Sequence, residues 1–307
     1  MKIVVLAGGV GAARFLQGLV QVVDPTELTV IVNTGDDEDF YGLRVCPDID
    51  TILYTLSGNH DEKRGWGLKD ETYAVLNQLQ KLGNDTWFTL GDKDFATHIH
   101  RTQLLQKGMS LTEVTRDLAD HFAIPFNLLP MTNERVRTIV TTPEGNLSFQ
   151  EYFVKRRFKD HVKAIHYQGI EKAAANKQVL TAITDAKLLL IAPSNPIVSI
   201  GTILAVPGIK KAITVAKAKK VAISPLINGK AIKGPADTML NDLGIEPSAR
   251  GVAKYYQDFL DTIIIDSQDA LQKAAIEELD IKVIATNTLM KDLHAKKLLA
   301  QTVIDSL

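Results

Sequence analysis

The chain has 307 residues, about two average domains' worth, and 45% of them are hydrophobic, enough to bury a sizeable core and to exclude disorder as the main state. Lysine and arginine number 35 against 36 aspartates and glutamates, a net charge of −1, so no bulk attraction draws the chain to nucleic acid or to an anionic membrane, and neither is expected as a partner. The single cysteine, Cys46, excludes a disulfide framework and a cysteine-rich zinc site, and it fits a reducing cytoplasm, the expected location.

The apolar amino terminus is interrupted by Gly8, Gly9 and Arg14, too early for a signal-peptide core, and reads as a first strand over 3–6. Further short β-branched runs at 28–32, 188–191, 221–223, 262–265 and 282–284 alternate with helix-length segments, the pattern of a parallel sheet with crossover helices. The runs are continuous rather than alternating, as strands buried on both faces should be. The fold class expected is α/β, a Rossmann-like, mostly parallel sheet with helices on both faces.

Directly after the first run comes Ala7-Gly8-Gly9-Val10-Gly11-Ala12-Ala13-Arg14, which opens a helix to about residue 23. Glycines let the backbone approach a phosphate, and a helix amino terminus offers unpaired N–H donors. The spacing lacks the third glycine of the dinucleotide fingerprint and there is no Gly-Lys-Ser/Thr of a P-loop. A nucleotide-phosphate cradle through Gly8, Gly9 and Gly11 is favoured over a merely structural turn.

Asn33-Thr34-Gly35-Asp36-Asp37-Glu38-Asp39 follows the second run, where open α/β sheets place ligands. Five of these seven residues carry a carboxylate or amide oxygen, the donors that hard divalent cations prefer. Magnesium held there competes with the blander reading of a solvated acidic loop with one helix cap. In Cys46-Pro47-Asp48-Ile49-Asp50-Thr51, two aspartates precede an apolar helix over 51–56; one is expected as its N-cap, leaving the other to join the acidic cluster.

Residues 71–82, 95–106 and 111–122 read as consecutive amphipathic helices, so 58–125 is taken as a helical insertion in a nucleotide-binding core made of 1–57 and 126–307. Within it, Trp66 stands between Gly65 and Gly67 and would offer a flat face to an aromatic ligand if it faced a cleft. Lys93, between Asp92 and Asp94, reads as a salt-bridged surface lysine unless the helix start points into the cleft. Segments 135–142 and 147–152 flank Pro143-Glu144-Gly145-Asn146 and read as a β-hairpin that extends the sheet or covers the site.

The apolar stretch 188–209 contains Pro193, Ser194, Asn195, Pro196, Ser199 and Pro207, so no transmembrane segment is expected. Ser194 and Asn195 lie at a strand's carboxyl end before a helix that Pro196 can start, a second candidate anion or base site. His98 and His100, two apart on a helix, face different directions, and His121, His161 and His166 have no partner at metal-ligand spacing.

Taken together, the glycine loop 7–14, Asn33-Thr34-Gly35-Asp36-Asp37, the segment 42–51, Arg64-Gly65-Trp66-Gly67, Leu90-Gly91-Asp92-Lys93-Asp94 and Pro193-Ser194-Asn195-Pro196 closely resemble the 2-phospho-L-lactate transferase family of coenzyme F-420 biosynthesis over nearly the whole chain. The resemblance implies an enzyme that takes a guanylylated three-carbon acid and a deazaflavin precursor, 7,8-didemethyl-8-hydroxy-5-deazariboflavin. It moves the phospho-acid to the ribityl hydroxyl and releases GMP with the help of Mg2+. It also implies that Asp50 meets the deazaflavin side or its metal and acts as the catalytic carboxylate, that Asp36 and Asp37 help hold magnesium, and that a homodimer forms. Lys93 stands where many members have arginine, which keeps the charge and removes the fork. The glycine loop with Ser194 and Asn195 is assigned to the guanosine diphosphate end, and Trp66 with Lys93 to the deazaflavin. A non-catalytic UDP-sugar-binding regulator of a related family is the runner-up, and an NAD-dependent oxidoreductase comes third.

Overall fold

Ile3, Val5 and Ala7 pack to one side of the first strand, β1 (Ile3–Ala7), and Val4 and Leu6 to the other, with all five buried. The structure is a computed structural model that describes residues 1–62 and 64–307. Two-sided burial is what the continuous apolar runs require, and every strand expected from them forms: β2 (Leu28–Val32), β4 (Leu188–Ile191), β5 (Lys219–Ile223), β6 (Thr262–Asp266) and β7 (Lys282–Thr286). A seventh, β3 (Asn127–Pro130), was not expected; it is short, and its proline is tolerated because it occupies an edge.

The seven strands form one sheet in the order β7-β6-β5-β4-β1-β2-β3, and every neighbouring pair is parallel. The chain winds outward from β1 through β2 to β3, then returns to the other side of β1 with β4 and winds outward again. Between β1 and β4, paired from Ile3↔Leu188 to Leu6↔Ile191, the strand order therefore reverses. Loops leaving the carboxyl ends of these two strands diverge and leave a crevice, the usual ligand position in such sheets.

One face of the sheet is covered by helices α1 (Gly9–Leu19), α2 (Pro47–Leu56) and α5 (Leu111–His121) and by the carboxyl-terminal helix Leu293–Asp305, which share a core with Val5, Val30 and Val32. The other is covered by helices including Lys177–Asp185 and Ala249–Tyr256, together with a three-stranded antiparallel sheet. A satellite core of Phe40, Val45, Leu76, Leu90 and Phe95 lies where α3 (Ala74–Lys81) meets the start of α4 (Asp92–Gln106). Within 58–125 the described residues form helices at Ala74–Lys81, Asp92–Gln106 and Leu111–His121, and 64–73 is not helical. The last of these helices, started by a Ser110–Glu113 capping box, buries Leu111, Val114 and Leu118 in the main core and serves as the crossover into β3.

Three local expectations are corrected. Helix α2 begins at Pro47, which suits a first helical position, so Asp48 and Asp50 lie inside its first turn, and neither is the N-cap, a place held by Cys46. The hairpin is shorter than expected, with strands Arg137–Thr142 and Gly145–Ser148; it pairs with Ala164–Gln168 in its own sheet, and Tyr152 falls in the following π-helical turn Glu151–Lys155. The acidic segment is not all loop: Glu38–Phe40 pairs with Leu43–Val45 as a small hairpin.

Among the described residues no single helix is long and apolar enough to cross a membrane; the pair Pro196–Ala205 and Ile209–Val215, bent by 87°, turns Ile197, Val198, Ile200 and Ile203 into the core.

Candidate active site

At the β1–β4 crevice the two loops touch through backbone. Gly9 adopts φ +70°, a region that favours glycine. A Cβ on Gly8 would stand 2.6 Å from Ser199 Cβ and 2.9 Å from Asp48 Oδ2, and one on Gly11 would stand 2.2 Å from the Pro193 carbonyl oxygen. Ser194 Oγ accepts the Gly8 N–H at 3.2 Å and donates to the Gly8 carbonyl at 2.8 Å. Asn195 Oδ1 accepts from the N–H groups of Ile197 and Val198 at 2.9 and 3.4 Å and so caps its own helical turn. All five residues expected at the nucleotide end, Gly8, Gly9, Gly11, Ser194 and Asn195, line one cleft. The two side-chain oxygens shape its wall.

The acidic segment divides by function. Glu38 pairs with Arg137 and accepts from Ser148 Oγ at 2.8 Å, and Asp39 meets Arg44 and Arg135, each at 2.7 Å, so these two tie the small hairpins together. Asp36 and Asp37 are buried, and each leaves its Oδ1 without a hydrogen-bond partner. Asp36 lines the cleft; Asp37 does not, and sits behind it within the fields of Arg44 and Arg101. Asp48 also lines the cleft, where it accepts from Asn33 Nδ2 at 2.9 Å and from the Gly9 N–H.

Burial, and next the charge of Asp48, hold the Asp36 carboxyl well above the usual carboxylate range. Burial raises Asp48 to about 6, and raises Asp37 to about 7 against the opposing pull of Arg44 and Arg101.

Helix α4 carries Asp94, His98 and Arg101, four and three residues apart and hence on one stripe; Asp94 and His98 line the cleft, and Arg101 lies buried behind it. Arg101, 1% exposed, grips Asp50 with both terminal nitrogens. Its Nη1 also donates to His98 Nδ1 at 3.1 Å, which assigns the lone pair to Nδ1 and a proton to Nε2, 3.2 Å from Asp94 Oδ1. Tyr54 donates to the same Asp94 oxygen at 2.6 Å. The sequence reading missed Arg101 and set His98 aside; the polar stripe on a half-buried helix was the available signal.

The cleft has a volume of about 470 Å³, and its aromatic lining is Tyr54, Trp66, 45% exposed, Phe88 and the stacked pair Phe149 and Phe153. Lys93 is exposed and does not line the cleft; its ammonium donates to the Lys69 carbonyl at 2.9 Å, while its neighbour Asp94 does line it. The cleft's lysine and arginine lining, among the described residues, is Arg14 and Lys233, against Asp36, Asp48, Asp50 and Asp94. Arg101 compensates Asp50 from behind, which leaves Asp36 and Asp48 as buried oxygen donors with no cationic partner. Such a pair, one oxygen orphaned, suits a hard divalent cation and disfavours a bare diphosphate.

Residues 3–303 match the family described as 2-phospho-L-lactate transferase CofD. The chain is 45% identical over 311 residues to the phosphoenolpyruvate transferase of Kitasatospora aureofaciens, covering 99% of this chain and 97% of that protein. It is 40% identical over 301 residues to the 2-phospho-L-lactate transferase of Methanococcoides burtonii, with 98% of each covered. A crystal structure of a UPF0052-family protein from Bacillus halodurans shares the fold, with a TM-score of 0.67 at 16% identity, over 99% of this chain and 98% of that one.

Proposed function

This chain belongs to the 2-phospho-L-lactate transferase CofD family, and on that premise we propose that it transfers a phosphorylated three-carbon acid from its guanosine diphosphate adduct to the ribityl hydroxyl of a deazaflavin precursor, releasing GMP. The acid is 2-phospho-L-lactate or enolpyruvyl phosphate, the two chemistries named among its relatives. The observation that carries the chemistry is the pair of buried, cation-less carboxylates Asp36 and Asp48 beside the glycine loop.

In this reading the loop of Gly8, Gly9 and Gly11 receives the diphosphate end of the donor. Asp36 and Asp48 hold Mg2+, with Asp50 adjacent on the same helix and Asp37 behind them. When bound, the ion supplies charge neutralisation for the diphosphate and the departing GMP. The apolar lining around Trp66 takes the deazaflavin ring, with Lys93 outside the cleft and available to the ligand's exposed edge.

The ribityl oxygen attacks the phosphorus bearing the acid, a new P–O bond forms, and the bond from that phosphorus to the oxygen bridging to GMP breaks. Arg101 uses one lone pair on each oxygen of Asp50, and a remaining lone pair accepts the hydroxyl proton as the bond forms.

The test is a polarisation titration of the fluorescent deazaflavin precursor with Mg2+ and GDP present or absent, followed by turnover with each guanylylated acid. Saturable binding that weakens in Asp50→Asn, with GMP release, is the expected result. Tight UDP-sugar binding by folded protein that ignores the deazaflavin would overturn the transferase reading in favour of a nucleotide-sugar regulator.

A further inference from the structure

On the outer side of α4, away from the cleft, the fold assembles three ligand-bearing side chains. His100 projects from α4, and Asp117 and His121 project from α5 one turn apart. One donor atom of each lies within 4.8 Å of the other two. His100 Nε2 is 2.7 Å from Asp117 Oδ2, and His121 Nδ1 is 3.6 Å from that same oxygen. The expectation that His121 lacks a partner is therefore corrected: its partner comes from another helix, with the two rings edge to face at 5.7 Å.

The tautomer of His121 is fixed by its surroundings. Its Nδ1 lies 2.8 Å from the Asp117 carbonyl oxygen, which can only accept, so Nδ1 carries the proton and Nε2 keeps its lone pair. Asp117 Oδ2, 2.7 Å from His100 Nε2, likewise can only accept, so that ring nitrogen carries a proton too, and binding a cation to the cluster releases protons or engages the opposite ring nitrogens. The three side chains are 43%, 30% and 68% exposed, so an ion reaches them without opening the fold and water can complete its coordination.

We propose that His100, Asp117 and His121 form a surface site for Zn2+. Two imidazoles and a carboxylate suit a borderline cation, whereas the Asp36–Asp48 carboxylate pair of the cleft suits a hard one. The site shares no residue with the cleft and does not depend on the transferase reading. An ion there ties α4 to α5 roughly 100° around the α4 axis from Arg101, through which α4 holds Asp50.

The test titrates chelator-treated full-length protein with Zn2+ alone by calorimetry, in millimolar Mg2+ so that hard-cation sites are occupied, and repeats it with Co2+ to read imidazole ligation in the visible spectrum. One ion per chain is expected. His100→Gln and His121→Gln should each weaken binding roughly tenfold or more, and Asp36→Asn should leave it unchanged. Absence of saturable Zn2+ binding, or binding undiminished in the doubly substituted, folded protein, would overturn the proposal. Loss of binding in Asp36→Asn with retention in the histidine variants would do the same, by moving the ion to the cleft.

Discussion

Arg101 closes its guanidinium fork on Asp50, Nη1 on Oδ2 at 3.1 Å and Nη2 on Oδ1, with both side chains nearly sealed from solvent. The pair fixes the rotamer of the carboxylate proposed to accept the hydroxyl proton. Arg101→Ala should leave Asp50 buried and uncompensated, at a cost of about 3–5 kcal/mol in chemical denaturation. Arg101→Lys should keep the charge and lose the fork. The lysine variant should fold and lower kcat more than it raises KM; unchanged kcat would remove Arg101 from the positioning of Asp50.

The buried acids in and behind the cleft set a pH signature. Burial raises Asp36, Asp48 and Asp37, so between the ordinary carboxylate value near ~4 and about 7 the folded chain binds more protons than the unfolded one. Their contribution therefore favours the fold at low pH and is lost as pH rises through that window. Without divalent cations, thermal stability should fall across it more steeply in wild type than in Asp36→Asn. Millimolar Mg2+ should restore wild type more at pH 7.5 than at pH 5. Parallel profiles for the two proteins, unaffected by Mg2+, would show that Asp36 is not the group responsible.

At the nucleotide end, Gly11→Ala drives a Cβ into the Pro193 carbonyl at 2.2 Å, an approach that backbone must yield to. A loss of roughly 1–3 kcal/mol of stability is expected, with GDP affinity falling alongside it. Isothermal titration with GDP and Mg2+ reads the second effect, and GDP affinity equal to wild type would separate this loop from nucleotide binding.

Ser194→Ala removes both hydrogen bonds to Gly8 and leaves its buried N–H unpaired, at a cost of about 1–3 kcal/mol by denaturation, while the Gly8 carbonyl keeps the first helical bond of α1. Its effect on GDP should follow from a loosened loop, so Ser194→Thr, which keeps the hydroxyl, should recover part of both.

Trp66→Ala should weaken the deazaflavin precursor about tenfold while GDP binding stays within twofold of wild type, because the ring belongs to the aromatic lining and not to the glycine loop. Equal losses for both ligands would make Trp66 a structural residue.

Six of the seven strands were legible because burial on both faces demands unbroken apolar runs, and β1 and β4 carry them. Strand β3 escaped because four residues ending in Pro130 hold no pattern of their own and depend on β2. The glycine loop was legible because it directly follows a strand. Half the acidic cluster was not: Glu38 and Asp39 look identical to their neighbours until Arg135 and Arg137, about a hundred positions on, arrive to pair them. Arg101 was hidden for the same reason, since its partner Asp50 lies 51 residues away.

The reversal of strand order gives the cleft a history as well as a place. Ser194 and Gly8, the bond that joins its two walls, are 186 residues apart, and no local segment contains both. During synthesis the glycine loop leaves the ribosome long before β4 exists to press against it. Ligand binding is thus among the last properties the chain acquires, and nucleotide affinity becomes a direct assay for whether the two halves of the sheet have met.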